Sequence, residues 1–174
     1  SPHGNMGLFY AWDGTLRYSD GVARVNLLLN RASPWMDIDS YIPYQGKVVI
    51  RNKTARELYV RIPLWADRKA IRCIRGSKDL PIVWSGSYIH INRLRPGDVL
   101  IVLFPMAERI EKWNVYFWEK PKDLPNPQVY TLKFKGNTLI EISPPLAPGT
   151  WLYQGRAEKY KASKAPTMEV LRYV

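Results

Sequence analysis

The sequence predicts an all-β fold, an antiparallel β-sandwich of jelly-roll-like type, with one helix at the N-terminus. Three observations predict it. Apolar and polar residues alternate in short runs, the two-residue period of a half-buried strand, as in Leu58, Val60 and Ile62 against Tyr59 and Arg61. Turn signals punctuate these runs at short spacing. Fourteen prolines and eleven glycines in 174 residues favour a loop-rich β protein over a helical bundle.

Residues 1–21 read differently from the rest. Leu8, Trp12 and Leu16 fall at helical spacing, with Phe9 and Tyr10 beside them. Asn5 is a candidate N-cap and Asp20-Gly21 a candidate stop. Gly14 weakens the prediction, since glycine within a helix costs about 1 kcal/mol relative to alanine. A helix this apolar needs something to pack on. The division that follows is a helix over 1–21 and a β-sandwich region over 22–174.

From Val22 the period is that of strands. Val22 to Leu29 is β-prone and is closed by the segment 30–34. Met36 and Ile38 precede a turn at 43–46, and Lys47 to Asn52 is a strand centred on Val48-Val49-Ile50. Pro63 ends the strand at Leu58–Ile62, because proline has no N–H for the ladder. Arg72-Cys73-Ile74 is a short β run broken by Gly76-Ser77, and Ser85-Gly86-Ser87 is a second turn. Ile89 and Ile91 then alternate with Tyr88, His90 and Asn92. Arg95-Pro96-Gly97-Asp98 suits a β-turn, with proline fixing φ at its second position. Val99 to Phe104 is wholly apolar, the pattern of a central strand buried on both faces. Residues 108–128 read as loop. Tyr130, Leu132 and Phe134 begin a hairpin that turns at Gly136-Asn137 and returns over Thr138–Ile142. Residues 148–164 read as a polar, tyrosine-rich tail, and 168–174 as a last strand.

The charge excludes little. The formal net charge is +11, but the basic residues are scattered from Arg17 to Arg172 with no zinc-ligand set, aromatic RNA motif or basic helix beside them. A solvated basic surface is the reading, and no nucleic-acid partner is expected. One cysteine, Cys73, permits no disulfide within the chain, and one thiol with two histidines makes no closed zinc site. Its strand position marks it as a packing thiol. No apolar run is long enough to span a membrane as a helix, so no membrane partner is expected. The compartment is unknown.

No nucleophile elbow, phosphate-binding glycine loop or metalloprotease motif occurs. Asp37 and Asp39 share one side of a strand, and without a third ligand they read as solvent-facing. Glu108 and Glu111 sit among Arg109 and Lys112 and read as ion-paired. His90 alternates out of an isoleucine face and reads as a surface or satisfied histidine. The run from Trp113 to Trp118 is strongly aromatic; aromatic rings stack on the apolar faces of sugars, which makes Trp113 and Trp118 candidate substrate-binding residues. No catalytic and no metal-ligating residue is assigned.

A set of motifs carries a resemblance. Arg61-Ile62-Pro63-Leu64-Trp65-Ala66, then an isoleucine-rich strand, then Gly97-Asp98, then Pro105-Met106-Ala107-Glu108-Arg109, resembles the β-sandwich region of the β-L-arabinofuranosidase-like glycoside hydrolases. Ser1-Pro2-His3-Gly4-Asn5 and Gly7-Leu8-Phe9-Tyr10-Ala11-Trp12 resemble the segment that follows that family's paired cysteines and opens the last helix of its (α/α)6 barrel. The resemblance implies enzymes with a cysteine nucleophile, a zinc ion held by cysteines and a glutamate, and a glutamate acid/base. None of these residues falls within this chain, and Cys73 does not match them. The chain alone is expected to be inactive and to need no cofactor, zinc being implied only for the barrel. His3 lies near where the active-site wall would be and is a third candidate substrate-binding residue. The implied function is a non-catalytic C-terminal sandwich supporting the barrel, with helix 1–21 as its remnant. Homo-oligomers through the exposed helix are expected when the barrel is absent. The alternative is a free-standing carbohydrate-binding module that uses exposed aromatics.

Overall fold

The computed structural model describes residues 2–119, 125–145 and 155–167. Helix α1 spans Pro2–Asp13. Asn5 therefore lies inside the helix rather than capping it. The last turn closes at Gly14, whose N–H donates to Tyr10 O at 2.8 Å, and Thr15 Oγ1 donates to Ala11 O at 3.2 Å. The helix ends earlier than its apolar spacing predicts, because Leu16 opens strand β1 (Leu16–Ser19), which pairs with β2 (Val22–Val25). Asp20 and Gly21 form the connection with φ of +52° and +84°. Positive φ at both central residues is the type I′ hairpin turn, for which Asp-Gly is a preferred pair. The dipeptide is a hairpin signal, not a helix stop.

Eight more strands complete the sandwich: β3 (Met36–Ser40), β4 (Lys47–Asn52), β5 (Glu57–Arg61), β6 (Arg72–Arg75), β7 (Lys78–Leu80), β8 (Val83–Ser85), β9 (Tyr88–Ile91) and β10 (Val99–Leu103). They form two five-stranded sheets, ordered β1-β2-β5-β9-β8 and β3-β4-β10-β6-β7. Pairing is antiparallel except between β2 and β5, which run parallel. Ala23, Val25, Leu58, Val60, Ile89 and Ile91 of the first sheet meet Met36, Ile38, Val48, Ile50, Cys73, Leu100 and Val102 of the second in one buried cluster. Each large aliphatic side chain buried there contributes roughly 1.5–3 kcal/mol.

β10 lies at the centre of its sheet, between β4 and β6. It is not buried on both faces. Leu100 and Val102 are fully buried, Ile101 and Leu103 are half-covered, and Val99 is exposed. The continuous apolar run hides an ordinary alternation. The turn before β10 is of type II, with Gly97 at φ +87° and Asp98 N donating to Arg95 O at 3.1 Å. Buried Asn52 fixes it: Asn52 Nδ2 donates to Ala55 O at 2.8 Å and Arg95 O at 2.9 Å, while Ala55 N donates to Asn52 Oδ1 at 3.0 Å.

A third sheet follows, β11 (Glu108–Val115), β12 (Gln128–Lys135) and β13 (Thr138–Ser143), in that order. The region read as loop thus holds an eight-residue edge strand. Its sequence conceals the period because no residue of β11 is buried: one face is exposed and the other, at Arg109 and Glu111, only half-covered. The hairpin at Gly136-Asn137 forms where expected. A single helical turn, α2 (Arg156–Lys159), packs on β13. The predicted strand at 168–174 lies outside the described residues, as does Trp151 of the tail.

Candidate functional site

The motif residues converge on a joint between the sandwich and the third sheet. Ile62 and Ala66 are buried in the core, and Trp65 packs edge-on against Phe104 with ring centroids 5.5 Å apart. The β12–β13 turn sits on Trp65 and Met106. A side chain at Gly136 would meet Met106 Cε and Trp65 Cζ2 at 2.9 Å, and Gly136 has φ +58°. Gly136 N donates to Ala107 O at 2.7 Å, and Arg109 Nη1 donates back to Gly136 O. Trp65, Met106 and Arg109 are thus structural at this joint, and the motif needs no reacting substrate to account for it.

Beside the joint lies a cleft of about 540 Å³ lined by residues 26–30 and 61–65, together with Ser40, Ile42, Asn137 and Thr138. It holds one ionisable side chain, Arg61, and no carboxylate pair for acid–base chemistry. The sequence-predicted polar candidates are placed as follows. Asp37 is buried, not solvent-facing: it accepts from Ser33 N at 3.3 Å and pairs with Lys53 Nζ at 3.0 Å. Asp39 pairs with Arg51 across the β3–β4 ladder. Glu108 pairs with Lys133 at 3.3 Å. His90 stacks on Tyr59 at 4.5 Å and lies 3.2 Å from Glu57 Oε2, with Arg24 over the other side of the row, 5.1 Å from the Tyr59 ring. Burial pushes the Cys73 thiol up to about 11, which suits packing and not nucleophilic attack. Among the described residues no three His, Cys, Asp or Glu side chains are grouped to hold a metal ion, and no helix is long and apolar enough to cross a membrane.

Two surfaces stand out instead. The first is α1. Met6, Leu8, Phe9, Tyr10 and Trp12 are all exposed, Leu8 by 73%. The helix is tied down at its C-terminal end, where Asn26 Nδ2 donates to Gly14 O at 3.0 Å. Arg31 lies under it, with Cζ 3.3 Å from the Trp12 ring centroid. Arg31 Nε and Nη1 are buried and have no hydrogen-bond partner. His3 is in the first turn of α1, and its side chain lies outside the described residues.

The second surface is β11. Arg109, Glu111 and Trp113 project from one face at alternate positions. Arg109 Nε donates to Glu111 Oε1 at 2.7 Å, and Trp113 Nε1 donates to Glu111 Oε2 at 2.9 Å. These two bonds, Arg109 first, hold the Glu111 carboxyl below the usual carboxylate range. Trp113 is half-exposed and Trp118 fully exposed. The structure does not bring His3 and these tryptophans into one described site. Sequence reasoning read Glu111 as ion-paired among Arg109 and Lys112, and it pairs with Arg109; what it missed is Trp113 joining that line, a signal present in the i, i+2, i+4 spacing once 108–115 is read as a strand.

No protein-family model and no curated protein sequence matches the chain. Solved structures do. The chain is similar to the GH127 β-L-arabinofuranosidase of Geobacillus stearothermophilus T6, with 17% identity and a TM-score of 0.50 over 71% of this chain and 20% of that one. It is similar to a second GH127 β-arabinofuranosidase, with 18% identity and a TM-score of 0.53 over 72% of this chain and 23% of that one. The chain spans about a fifth of the length of these structures. Over about 70% of its residues the chain has the fold of a portion of these GH127 enzymes.

Proposed function

We propose that the chain is a non-catalytic β-sandwich related to glycoside hydrolases, which supports a catalytic (α/α)6 barrel docked on α1. The observation that carries this reading is the exposed surface of Met6, Leu8, Phe9, Tyr10 and Trp12. Contiguous exposed apolar surface of this kind marks an interaction site. The fold likeness to about a fifth of two GH127 arabinofuranosidases supports a catalytic barrel as the partner. The hydrolytic residues and any zinc belong, on this reading, to the barrel.

Two measurements test it. Light scattering of this chain alone should show concentration-dependent association, reversed by replacing Leu8 and Phe9 with serine. Chromogenic arabinofuranosides should not be hydrolysed by the chain alone. A strict monomer at high concentration, or turnover by the isolated chain, overturns the proposal. The intact mass of the native product separates the two ways of carrying the barrel: several-fold above 20.2 kDa means one longer chain, and equality means a separate partner.

A further inference from the structure

We propose that the Arg109–Glu111–Trp113 face of β11, continued by Trp118, is a binding platform for a neutral glycan chain. A sugar ring would stack its C–H face on the Trp113 indole while its hydroxyls hydrogen-bond to the Glu111 carboxylate. The inference does not rest on the docking role of α1.

The chemistry comes from how these side chains constrain one another. An exposed tryptophan ordinarily loses rotamer freedom when a ligand orders it, which weakens binding. Trp113 has already lost that freedom: its indole N–H is held by Glu111 at 2.9 Å. Glu111 is itself held by Arg109 at 2.7 Å, and the Arg109 guanidinium lies 4.2 Å from the Phe134 ring while donating to Gly136 O in the rigid joint. The chain of constraints thus runs from the sandwich to the exposed ring. Each Glu111 oxygen accepts one internal bond and keeps a further lone pair for a ligand hydroxyl. An apolar ring face beside ionised acceptors complements a sugar, which has a C–H face and a rim of hydroxyl donors. The Arg109 guanidinium is engaged by Glu111 and Gly136 O, so the platform offers a ring face and acceptors rather than a free cation, and a neutral chain is the occupant. Trp118, after the strand, provides a second ring on the same segment. Arg109 to Trp113 spans roughly 13 Å at the strand rise, which suits an extended oligosaccharide rather than a single sugar.

The test is affinity electrophoresis of the full chain in gels containing arabinan, arabinoxylan or polygalacturonate, followed by calorimetry with oligosaccharides of the best binder. Retardation that persists in high salt is expected in a neutral polysaccharide, whereas any retardation of this basic chain in polygalacturonate should vanish in high salt. Trp113→Ala should weaken it by about tenfold or more, the loss expected on truncating an aromatic anchor. Glu111→Gln, which keeps an acceptor oxygen but removes the charge, should weaken it less, and Lys112→Ala on the opposite face should leave it unchanged. Far-UV circular dichroism on each variant checks the fold. No retardation of the native chain in any gel overturns the proposal, as does undiminished binding by Trp113→Ala. Self-association abolished by Trp113→Ala without glycan binding would assign the face to a protein partner and overturn it too. None of these outcomes bears on α1.

Discussion

Replacing Gly136 with alanine tests how firmly the third sheet is held to the sandwich, and Gly76 supplies its control. Both glycines open two-residue hairpin turns, with φ of +58° and +60°. Positive φ at the first position only is the type II′ turn, which calls for glycine there. An alanine at either site carries the same left-handed strain, about 1–2 kcal/mol. Their surroundings differ. A side chain at Gly76 meets no atom within 4 Å, whereas one at Gly136 meets Met106 Cε and the Trp65 ring at 2.9 Å. Met106 can swing aside, but Trp65 is pinned edge-on by Phe104. Overpacking of this kind costs a further 1–3 kcal/mol or so. Gly76→Ala should therefore lose about 1–2 kcal/mol and Gly136→Ala about 2–5 kcal/mol. Urea denaturation followed by circular dichroism gives both values. Amide exchange should accelerate in β12 and β13 for Gly136→Ala and stay unchanged there for Gly76→Ala. Equal losses within about 0.5 kcal/mol would show that the joint is loose and that the argument from Trp65 is wrong.

Two further predictions follow from buried groups. Arg31→Met keeps the stem under Trp12 and removes two buried donors without acceptors; each such donor costs about 1–3 kcal/mol, against a cation–π gain of about 0.5–2 kcal/mol. The variant should range from neutral to more stable by up to about 5 kcal/mol in urea denaturation, and a loss above about 1 kcal/mol refutes the account. Cys73 has a folded pKa raised from 9.0 to about 11 by burial, so its contribution to stability is intact below pH 9 and is lost as pH rises towards 11. The denaturation midpoint of the native chain should drop over that window by more than that of Cys73→Ala, and the thiol should resist alkylation at pH 8 until the protein unfolds.

The sequence made the sandwich legible because its strands alternate cleanly. Leu58, Val60, Ile89 and Ile91 point inward, and Gly76-Ser77, Arg95–Asp98 and Gly136-Asn137 turn where they were read. It misled where one pattern serves two structures. Leu8, Trp12 and Leu16 keep helical spacing, yet Leu16 is a strand residue and 3% exposed, because the I′ turn at Asp20-Gly21 draws it into the core. Glu108–Val115 carries no hydrophobic period, because an edge strand with no buried residue is under no demand to have one. The candidate surfaces were half legible. The aromatic run was visible, but Arg31 beneath Trp12 and Glu111 beside Trp113 join residues through space or through a strand register that composition does not reveal.

The order in which the chain visits the two large sheets sets what can be removed from it. β1 and β2 lie in one sheet, β3 and β4 in the other, β5 in the first, β6 and β7 in the second, β8 and β9 in the first, and β10 in the second. β5 must insert between the parallel β2 and the antiparallel β9, so the first sheet closes only after the second has begun. Neither layer exists as a contiguous piece of sequence. The third sheet does, as three consecutive antiparallel strands. Gene fusion, circular permutation or domain exchange thus has one natural seam, at Met106 between β10 and β11. A cut between β1 and β10 divides at least one sheet of the sandwich, and one between β4 and β9 divides both, while a cut at the seam removes a whole module and uncovers Trp65.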